Sequence, residues 1–451
     1  QELTAHVIGY VGRIDEDDME KLNKSDYLGS THIGKLGVEK SYEDVLHGHV
    51  GHEQVEINAQ GRIVARDLPG SATPDPGKNI YLTLDISLQK IAAKALQGKR
   101  GAIVAIDPNN GNVLALVSSP AYDPNLFVNG IDAITYDVLL HSRDAPLLNR
   151  ALQGKYPPGS TIKPFLAVAA LANGIRAPDD DFWCPGWYAL KGNAHHYRDW
   201  KKEGHGHVNL RYAIMQSCDV YFYSLANDPG ITRLHDALTD FGFGKKTGID
   251  IGNESNGMVP SPEWKRKTYN QPWYAGETLI AGIGQGMILS TPLQLATATA
   301  ALANHGKLIP PQLVYAEKDI ITGAVAVQGR KPSRQIRMYD PSYWKIISDA
   351  MIEVVHGEFG TARRSGLNAP YRFAGKTGTS QLIGIAQNEE YRKEETPEEF
   401  QDHALFIAYA PAEAPQIAVA IIVENGGSGS GSAAPIARIL FDHYLLKQPP
   451  G

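Results

Sequence analysis

A serine and a lysine three residues apart, Ser160 and Lys163, stand at the start of the apolar run IKPFLAVAALA and have the chemistry of a nucleophile with its own base. Residues three apart share one face of a helix, so the two side chains can meet. The apolar surroundings would partly desolvate the lysine and lower its proton affinity, which suits it to deprotonate a serine hydroxyl. The spacing alone is weak evidence, because a helix-capping serine followed by a solvated lysine gives the same pattern.

Two further motifs strengthen the interpretation of that pair. Ser217 and Asp219, separated by Cys218, lie at the centre of a stretch with helical character, and the K-T-G-T sequence of Lys376–Thr379 lies on a predicted strand. Its glycine, Gly378, would let a substrate backbone approach, and the strand offers main-chain partners to an extended peptide. The order S-x-x-K, S-x-D, K-T-G favours acyl transfer through a serine nucleophile.

The elements that would position these motifs form an α+β domain. A helical spacing of apolar residues follows Asp85, which is a typical helix N-cap. Two predicted hairpins and a single strand supply five strands, with helices before and after them rather than between them. The strands are GAIVAID and GNVLALVS, then YRFAGKTGT, then HALFIAYA and QIAVAIIVE. We expect a five-stranded antiparallel sheet with helices on both sides.

A change of composition near residue 78 predicts two domains. The residues before it are polar and contain short alternating pieces such as HVIGYVGRI, which are typical of β-strands. The segment SATPDPGK at Ser71–Lys78 concentrates residues that favour turns. We predict a small β-rich N-terminal domain at 1–78 and a larger domain at 79–451.

Charge and hydropathy exclude several classes of function. The 451 residues contain 43 Lys and Arg against 49 Asp and Glu, a formal net charge of −6. The surface therefore has no broad attraction for nucleic acid or anionic lipid. No run approaches the roughly 18 apolar residues of a membrane span, so the chain is expected to be soluble. Its start inside a patterned segment is what a removed membrane anchor would leave.

Two glycine-rich segments carry no predicted chemistry. The series Gly282, Gly284 and Gly286 resembles a nucleotide-binding loop, but it lacks a preceding strand and a ribose-binding acid, so we reject that function. The sequence GGSGSGS at Gly426–Ser432 is typical of a flexible linker, either engineered or a tolerated surface loop, and we draw no function from it.

The motif set resembles the class B penicillin-binding proteins over most of the chain. Within that family, YPPGSTIKP, the segment RDWKKEGHGHVNL, GIGQG and AGKTGTSQ are most similar to the elongation, or rod-shape, branch called penicillin-binding protein 2. The resemblance implies a penicillin-binding, β-lactamase-like transpeptidase fold on an N-terminal pedestal. It also implies a single membrane-spanning helix that this chain lacks.

The resemblance further implies a serine-type D,D-transpeptidase that cross-links peptidoglycan stem peptides during cell elongation and is acylated by β-lactams. Ser160 would be the nucleophile, Lys163 its base and Ser217 a proton relay, while Lys376 would supply positive charge. The backbone N–H groups of Ser160 and Thr379 would form the oxyanion hole. No cofactor is implied for catalysis.

The remaining motif residues would bind the substrate or support Lys163. The hydroxyls of Thr377 and Thr379 would hold the terminal carboxylate of the substrate. Many relatives have Asn where this chain has Asp219, and an acid there cannot donate an amide hydrogen bond. An ionised Asp219 would instead support Lys163 as a cation or accept from the substrate amide.

The cellular setting also follows from the resemblance. It implies action at the periplasmic face of the inner membrane, with a SEDS-family glycan polymerase and other rod-complex membrane proteins as partners. Three alternatives remain open: a β-lactamase, a D,D-carboxypeptidase that uses water as acceptor, and a β-lactam sensor that signals through a partner.

The only two cysteines of the chain, Cys184 and Cys218, border a segment dense in potential metal ligands. The side chain of Cys218 should point away from the active site, towards whatever packs behind it. With Asp199 and His205, the pair could form a tetrahedral site of S, N and O donors, for which zinc is suited. We predict a structural zinc site, with a disulfide or free thiols as alternatives. Substitute ligands are His195, His196 and Asp181.

Overall fold

A computed structural model of the chain describes residues 2–23, 25–66, 68–383 and 396–446. The N-terminal part contains only short elements. Its helices are α1 (Ala5–Ile8), α2 (Glu16–Lys21), α3 (Gly37–Ser41) and α4 (Glu43–Leu46). Its strands are β1 (Val11–Arg13), β2 (His32–Gly34), β3 (Gly48–His49), β4 (Glu56–Ile57), β5 (Ile63–Ala65) and β6 (Asp75–Pro76). The strands pair antiparallel as β1–β2, β3–β6 and β4–β5, so four helical turns accompany the predicted strands.

The rest of the chain is a large mixed domain. Its strands are β7 (Asn79–Leu82), β8 (Gly101–Ile106), β9 (Val113–Ser119), β10 (Phe182–Cys184), β11 (Trp187–Tyr188), β12 (Tyr197–Arg198), β13 (Gly206–Val208), β14 (Lys307–Leu308), β15 (Val314–Lys318), β16 (Val325–Val327), β17 (Arg334–Gln335), β18 (Ala374–Ser380), β19 (His403–Ala410) and β20 (Ile417–Val423). Its helices are α5 (Ile86–Ala95), α6 (Ala133–His141), α7 (Lys163–Ala172), α8 (Leu210–Met215), α9 (Asp219–Asn227), α10 (Gly230–Asp240), α11 (Pro262–Tyr269), α12 (Ala275–Gly282), α13 (Pro292–Ala303), α14 (Ser342–His356), α15 (Arg363–Gly366) and α16 (Ala434–Leu446).

The core of this domain is a five-stranded antiparallel sheet in the order β18-β19-β20-β8-β9. Every residue of β8 and β20 is buried. Because strand side chains alternate between the two faces, such burial requires packing on both faces. The helix α13 packs across β8, β19 and β20, while α5 and α16 pack together and contact β9 and β20, respectively. The predicted sheet with helices on both sides is confirmed.

The N-terminal residues are tied to the larger domain by side chains of that domain. Gln89 Nε2 donates to the carbonyl of Leu3 at 3.0 Å, and Asn149 Nδ2 donates to the carbonyl of His6 at 2.9 Å. After the predicted boundary at residue 78, β7 pairs with β15 in the larger domain. Among the described residues, no helix combines the length and apolar character needed to cross a bilayer.

The segment Gly426–Ser432 is not a flexible linker, and that prediction was wrong. Gly429 is buried at the start of a π-helical turn, where an added Cβ would lie 2.2 Å from the carbonyl oxygen of Leu405 and 2.5 Å from that of Gly378. The glycine composition therefore reflects close backbone packing against β18 and β19 rather than freedom of the chain.

Candidate active site

Ser160 lies in a 3₁₀ turn, Gly159–Ile162, that leads directly into α7. The segment before it is fixed at Tyr156, whose backbone exchanges hydrogen bonds of 2.9 and 2.8 Å with that of Ser290. Prolines at 157 and 158 restrict the chain between this anchor and the turn. Ser160 itself is half-buried. A rigid approach thus presents the serine at the start of a helix, where solvent can still reach it.

Lys163, the first residue of α7, is completely buried. Its Nζ donates to the carbonyl oxygen of Ser217 at 2.8 Å and to Ser217 Oγ at 3.2 Å. It also forms an ion pair with Asp219 Oδ1 at 2.6 Å. Buried ammonium groups are costly unless they are paired, so these acceptors account for the position of the lysine. The S-x-x-K and S-x-D motifs therefore meet at one amine.

Ser217 does not lie inside a helix, and the prediction that it does was wrong. Helix α8 ends at Met215 and α9 begins at Asp219, and Ser217 lies between them with a φ of 60°. This left-handed conformation is strained for a residue other than glycine, and such residues cluster at functional sites. Apolar residues continue through both helices without glycine or proline, so the sequence pattern gave no sign of the break.

Lys376, on β18, reaches the same serine. Its Nζ donates to Ser217 Oγ at 2.9 Å, so the two lysines share one hydroxyl. Burial, together with the charge of Lys163, holds the pKa of Lys376 well below its usual range. Burial also raises the pKa of Asp219, although the charge of Lys163 opposes that shift. The proton affinities of a buried acid and a buried amine are thus brought closer together, which favours proton exchange within the cluster.

The strand β18 forms one edge of the sheet and packs against the turn that carries Ser160. An added Cβ at Gly378 would lie 2.6 Å from Thr161 Cγ2 and 3.0 Å from the carbonyl oxygen of Pro158. The space that this glycine leaves is therefore filled by the turn, so glycine is needed for the approach of strand and turn. Thr377 is buried with its Oγ1 2.8 Å from Thr361 Oγ1, and Thr379 is half-buried.

The four residues of the predicted metal site lie together. One ligand atom from each of Cys184, Asp199, His205 and Cys218 falls within 4.8 Å of the others. Cys184 Sγ is 3.7 Å from Asp199 Oδ2 and 3.6 Å from His205 Nδ1. Ligands of a tetrahedral zinc ion at the usual bond lengths are separated by roughly 3.3–3.8 Å. The donor types and these two separations fit such an ion.

The substitute ligands are engaged elsewhere. Asp181 and His207 are exposed and form their own pair, with 2.6 Å between Oδ2 and Nδ1. The ring of His196 stacks on Trp187 at 3.8 Å, and His195 contacts Tyr197 edge to face. Among the described residues, the cluster therefore consists of the four ligands first predicted.

Asp199 connects this cluster to the catalytic motif. Its Oδ2 accepts hydrogen bonds from the backbone N–H groups of Asp219 at 2.8 Å and Val220 at 3.1 Å, at the start of α9. A carboxylate at this position satisfies free N–H groups and complements the helix dipole. The same residue thus supports the helix that carries the partner of Lys163.

The pKa shifts differ among the ligands of this cluster. A hydrogen bond from Cys218 lowers the pKa of Cys184 to about 5, although burial opposes this. Burial acts to lower the pKa of His205, but hydrogen bonds to Asp199 and Cys184 outweigh it and raise the pKa to about 9. Both cysteines are free thiols. The thiolate and the neutral imidazole are the forms that bind zinc, so the ionisation of Cys184 favours a metal. Burial raises the pKa of Cys218, and both Cys218 and His205 would release a proton when a metal binds.

Two family models match the chain. The penicillin binding protein transpeptidase domain matches residues 101–442, which contain all three motifs, and the penicillin-binding protein dimerisation domain matches residues 1–82. The chain belongs to the penicillin-binding protein transpeptidase family. The membership predicted from the motifs is therefore confirmed.

Relatives within the family point to the predicted branch. The chain is 48% identical to peptidoglycan D,D-transpeptidase MrdA of Acinetobacter baumannii, an alignment that covers 99% of the chain and 65% of that protein. It is similar to Pseudomonas aeruginosa PBP2 in complex with WCK 5153, with 46% identity, a TM-score of 0.87 and coverage of 99% and 89% of the two chains. The Helicobacter pylori complex of PBP2 with MreC gives 34% identity, a TM-score of 0.87 and coverage of 99% and 78%. The chain spans about two thirds of the length of the curated relatives it matches.

Two neighbours of this site were missed at the level of sequence. The backbone N–H of Trp200 donates to Asp219 Oδ2 at 3.3 Å, and its indole Nε1 donates to the carbonyl of Gln216 at 3.1 Å. Trp200 directly follows the predicted ligand Asp199, and this position in the sequence could have indicated that it lies near the site. Thr361, which contacts Thr377, belongs to no motif, and only the packing reveals it.

Proposed function

We propose that this chain is the catalytic region of a peptidoglycan D,D-transpeptidase that cross-links stem peptides through an acyl-serine during cell elongation. The observation that carries the proposal is the contact of two buried lysines, Lys163 and Lys376, with the single hydroxyl of Ser217, next to the turn of Ser160. This cluster can take a proton from a serine and return it to a leaving amine. β-Lactams would acylate the same serine.

In the first half-reaction, Ser160 Oγ attacks the carbonyl carbon between the two terminal D-alanines and gives its proton to the neutral amine of Lys163. Asp219 Oδ1 lies 2.6 Å from Lys163 Nζ and can accept a proton from it, because burial raises the pKa of this acid. The C–N bond then breaks, and D-alanine leaves with a proton passed from Lys163 through Ser217. Ser217 Oγ is 3.2 Å from one amine and 2.9 Å from the other, within hydrogen-bond reach of both.

In the second half-reaction, the amine of a neighbouring stem peptide attacks the ester carbonyl and gives a proton to Lys163. The C–O bond to Ser160 then breaks, and Lys163 returns that proton to Ser160 Oγ. The oxyanion of both tetrahedral intermediates would face the N–H groups of Ser160 and Thr379. The hydroxyls of Thr377 and Thr379 would bind the terminal carboxylate of the donor peptide. Lys376 would complement its charge, because an arriving carboxylate favours the protonated amine.

The cellular role extends this chemistry. We place the enzyme at the periplasmic face of the bacterial inner membrane, anchored by a helix outside this chain, with a SEDS-family glycan polymerase and other rod-complex membrane proteins as partners. Support comes from the Helicobacter pylori relative, which was solved with MreC. Confocal localisation of a tagged full-length protein, with and without the polymerase, would test this assignment.

Product analysis tests the reaction. With the polymerase and lipid-linked substrate, the chain should release D-alanine and form cross-linked muropeptides in equal amounts. D-alanine without cross-links would instead identify a carboxypeptidase. Rapid hydrolysis of penicillin would identify a β-lactamase, and drug binding without turnover of any stem peptide would identify a sensor.

We also propose that Cys184, Asp199, His205 and Cys218 hold a structural zinc ion. Zinc would cross-link the loop before α8 to the start of α9. The proposal is supported by the S, N and O donor set, by ligand separations of 3.6 and 3.7 Å, and by the enclosed side chains of Asp199 and His205. Since Asp199 also caps α9, loss of the ion would disturb the position of Asp219 beside Lys163.

Metal removal should therefore lower thermal stability and the rate of acylation together. His205→Ala should have the same effect and should reduce bound zinc below one equivalent in elemental analysis. His207→Ala is the matched control, because His207 lies two residues away but is exposed and paired with Asp181. Absence of metal from the purified chain, with thiols that react only after reduction, would support the disulfide and exclude the zinc site.

A further inference from the structure

The glycine-rich segment Gly282–Gly286, for which we rejected nucleotide binding, contacts two of the three active-site motifs. The carbonyl oxygen of Gly284 accepts a hydrogen bond of 2.8 Å from the N–H of Gly159, directly before Ser160. The next side chain, Gln285, donates from Nε2 to the carbonyl oxygen of Thr379 at 2.7 Å. One short segment therefore binds the backbone on both sides of the reaction centre.

The backbones at Gly284, Gly159 and Thr379 are in contact and leave no space for a side chain at either glycine. An added Cβ at Gly284 would lie 2.2 Å from the carbonyl oxygen of Gly159. An added Cβ at Gly159 would lie 2.4 Å from the carbonyl oxygen and 3.1 Å from the nitrogen of Thr379. Both glycines have positive φ, 73° and 53°, which disfavours any other residue. The two glycines thus allow the close approach of the three backbone segments, and the side-chain amide of Gln285 forms the hydrogen bond to Thr379.

The bond to Thr379 also fixes the direction of its N–H. In an antiparallel strand, the N–H and C=O of one residue point to the same side. The carbonyl of Thr379 faces Gln285 and Gly159 rather than β19, so its N–H faces that side too, towards the turn of Ser160. The carbonyl and the N–H of Thr379 belong to the two peptide planes that meet at its Cα, so loss of the bond to the carbonyl would free the backbone dihedrals of Thr379 and allow its N–H to change direction.

We infer that Gln285 is a positioning residue for the oxyanion hole: it holds the Thr379 backbone so that its N–H faces the reacting carbonyl, while Gly284 holds the Ser160 turn opposite. This inference rests on the proposed acyl-serine function. It predicts an effect on the step in which charge develops on the carbonyl oxygen, with little effect on the binding that precedes it.

The direct test is Gln285→Met, which keeps the side-chain length and removes the donor. Acylation by a penicillin should slow by about 10- to 100-fold, while the non-covalent binding constant that precedes it changes little. In the infrared spectrum of the acyl-enzyme, the ester carbonyl stretch should move to higher wavenumber, because hydrogen bonds to that oxygen weaken.

Gln294→Met is the matched control. Buried Gln294 donates similar hydrogen bonds of 2.7 Å to the backbone carbonyls of Lys245 and Asn256, away from the motifs. The Gln294→Met variant should be less stable than the wild type but should show the same wavenumber for the ester carbonyl.

Gln285→Glu gives a second readout, and it also serves if the Met variant does not fold. A protonated Glu can donate to the Thr379 carbonyl and an ionised one cannot. The acylation rate of this variant relative to wild type should therefore rise as the pH falls through the pKa of the introduced acid. A flat ratio, or a Met variant within threefold of wild type with an unshifted stretch, would overturn the inference. Failure of the wild type to form any adduct at Ser160 would instead overturn the proposed function.

Discussion

Ser160→Ala is expected to abolish covalent labelling by a fluorescent penicillin while thermal unfolding stays close to wild type. Acyl transfer requires the hydroxyl oxygen, and no other side chain can replace it in forming the ester. Ser160 is half-buried and does not cap its helix, so loss of the hydroxyl should change the free energy of unfolding by about 1 kcal/mol or less.

Ser290→Ala is the control for this variant. Ser290 is buried and its hydroxyl donates to the carbonyl of Tyr156 at 3.4 Å, in the segment that leads to Ser160. It should retain labelling, because the backbone hydrogen bonds between these residues remain. Undiminished labelling of Ser160→Ala would exclude this serine as the nucleophile.

Lys163→Ala is expected to slow acylation by about 10²- to 10⁴-fold, the usual contribution of a general base. The amine is completely buried and contacts both Ser217 and Asp219. Stopped-flow measurement of the acylation rate constant checks the prediction. A change below threefold would remove Lys163 from the mechanism.

This variant leaves Asp219 without its partner, which could destabilise the fold. The double variant Lys163→Ala with Asp219→Asn removes both charges. Its thermal unfolding should therefore be compared with that of Lys163→Ala and of the wild type. Slow acylation in a double variant that unfolds near the wild-type temperature would assign the loss to the base. Recovery of the wild-type rate in the double variant would show that the stranded carboxylate, rather than the missing amine, caused the loss.

Much of the site was predictable because its chemistry is encoded locally. The lysine at 163 and the K-T-G strand follow from residue spacing and β-propensity, and the sheet follows from five strongly apolar strands with clear turns. The metal ligands could be chosen because cysteines are rare in this chain and histidines concentrate between them.

The remaining features depend on contacts between distant segments. Ser217 has a left-handed backbone conformation and its hydroxyl accepts from two lysines of other elements, features that helical periodicity does not reveal. The packing of Gly429 on β18 and the bond of Gln285 to Thr379 reflect close approach of backbones, whereas the sequence shows only glycine. Composition alone indicates flexibility at the first segment, and that interpretation fails because glycine also permits tight packing. At the second segment the sequence excluded a nucleotide loop but did not reveal the contact with the active site.

Intact-mass measurement after incubation with a penicillin tests the central claim, that Ser160 forms a long-lived acyl-enzyme. We expect a gain equal to the mass of one penicillin, persistent over minutes and assigned by peptide mapping to the segment that contains Ser160. An unmodified chain with hydrolysed drug in solution, or an adduct on any other residue, would contradict the account.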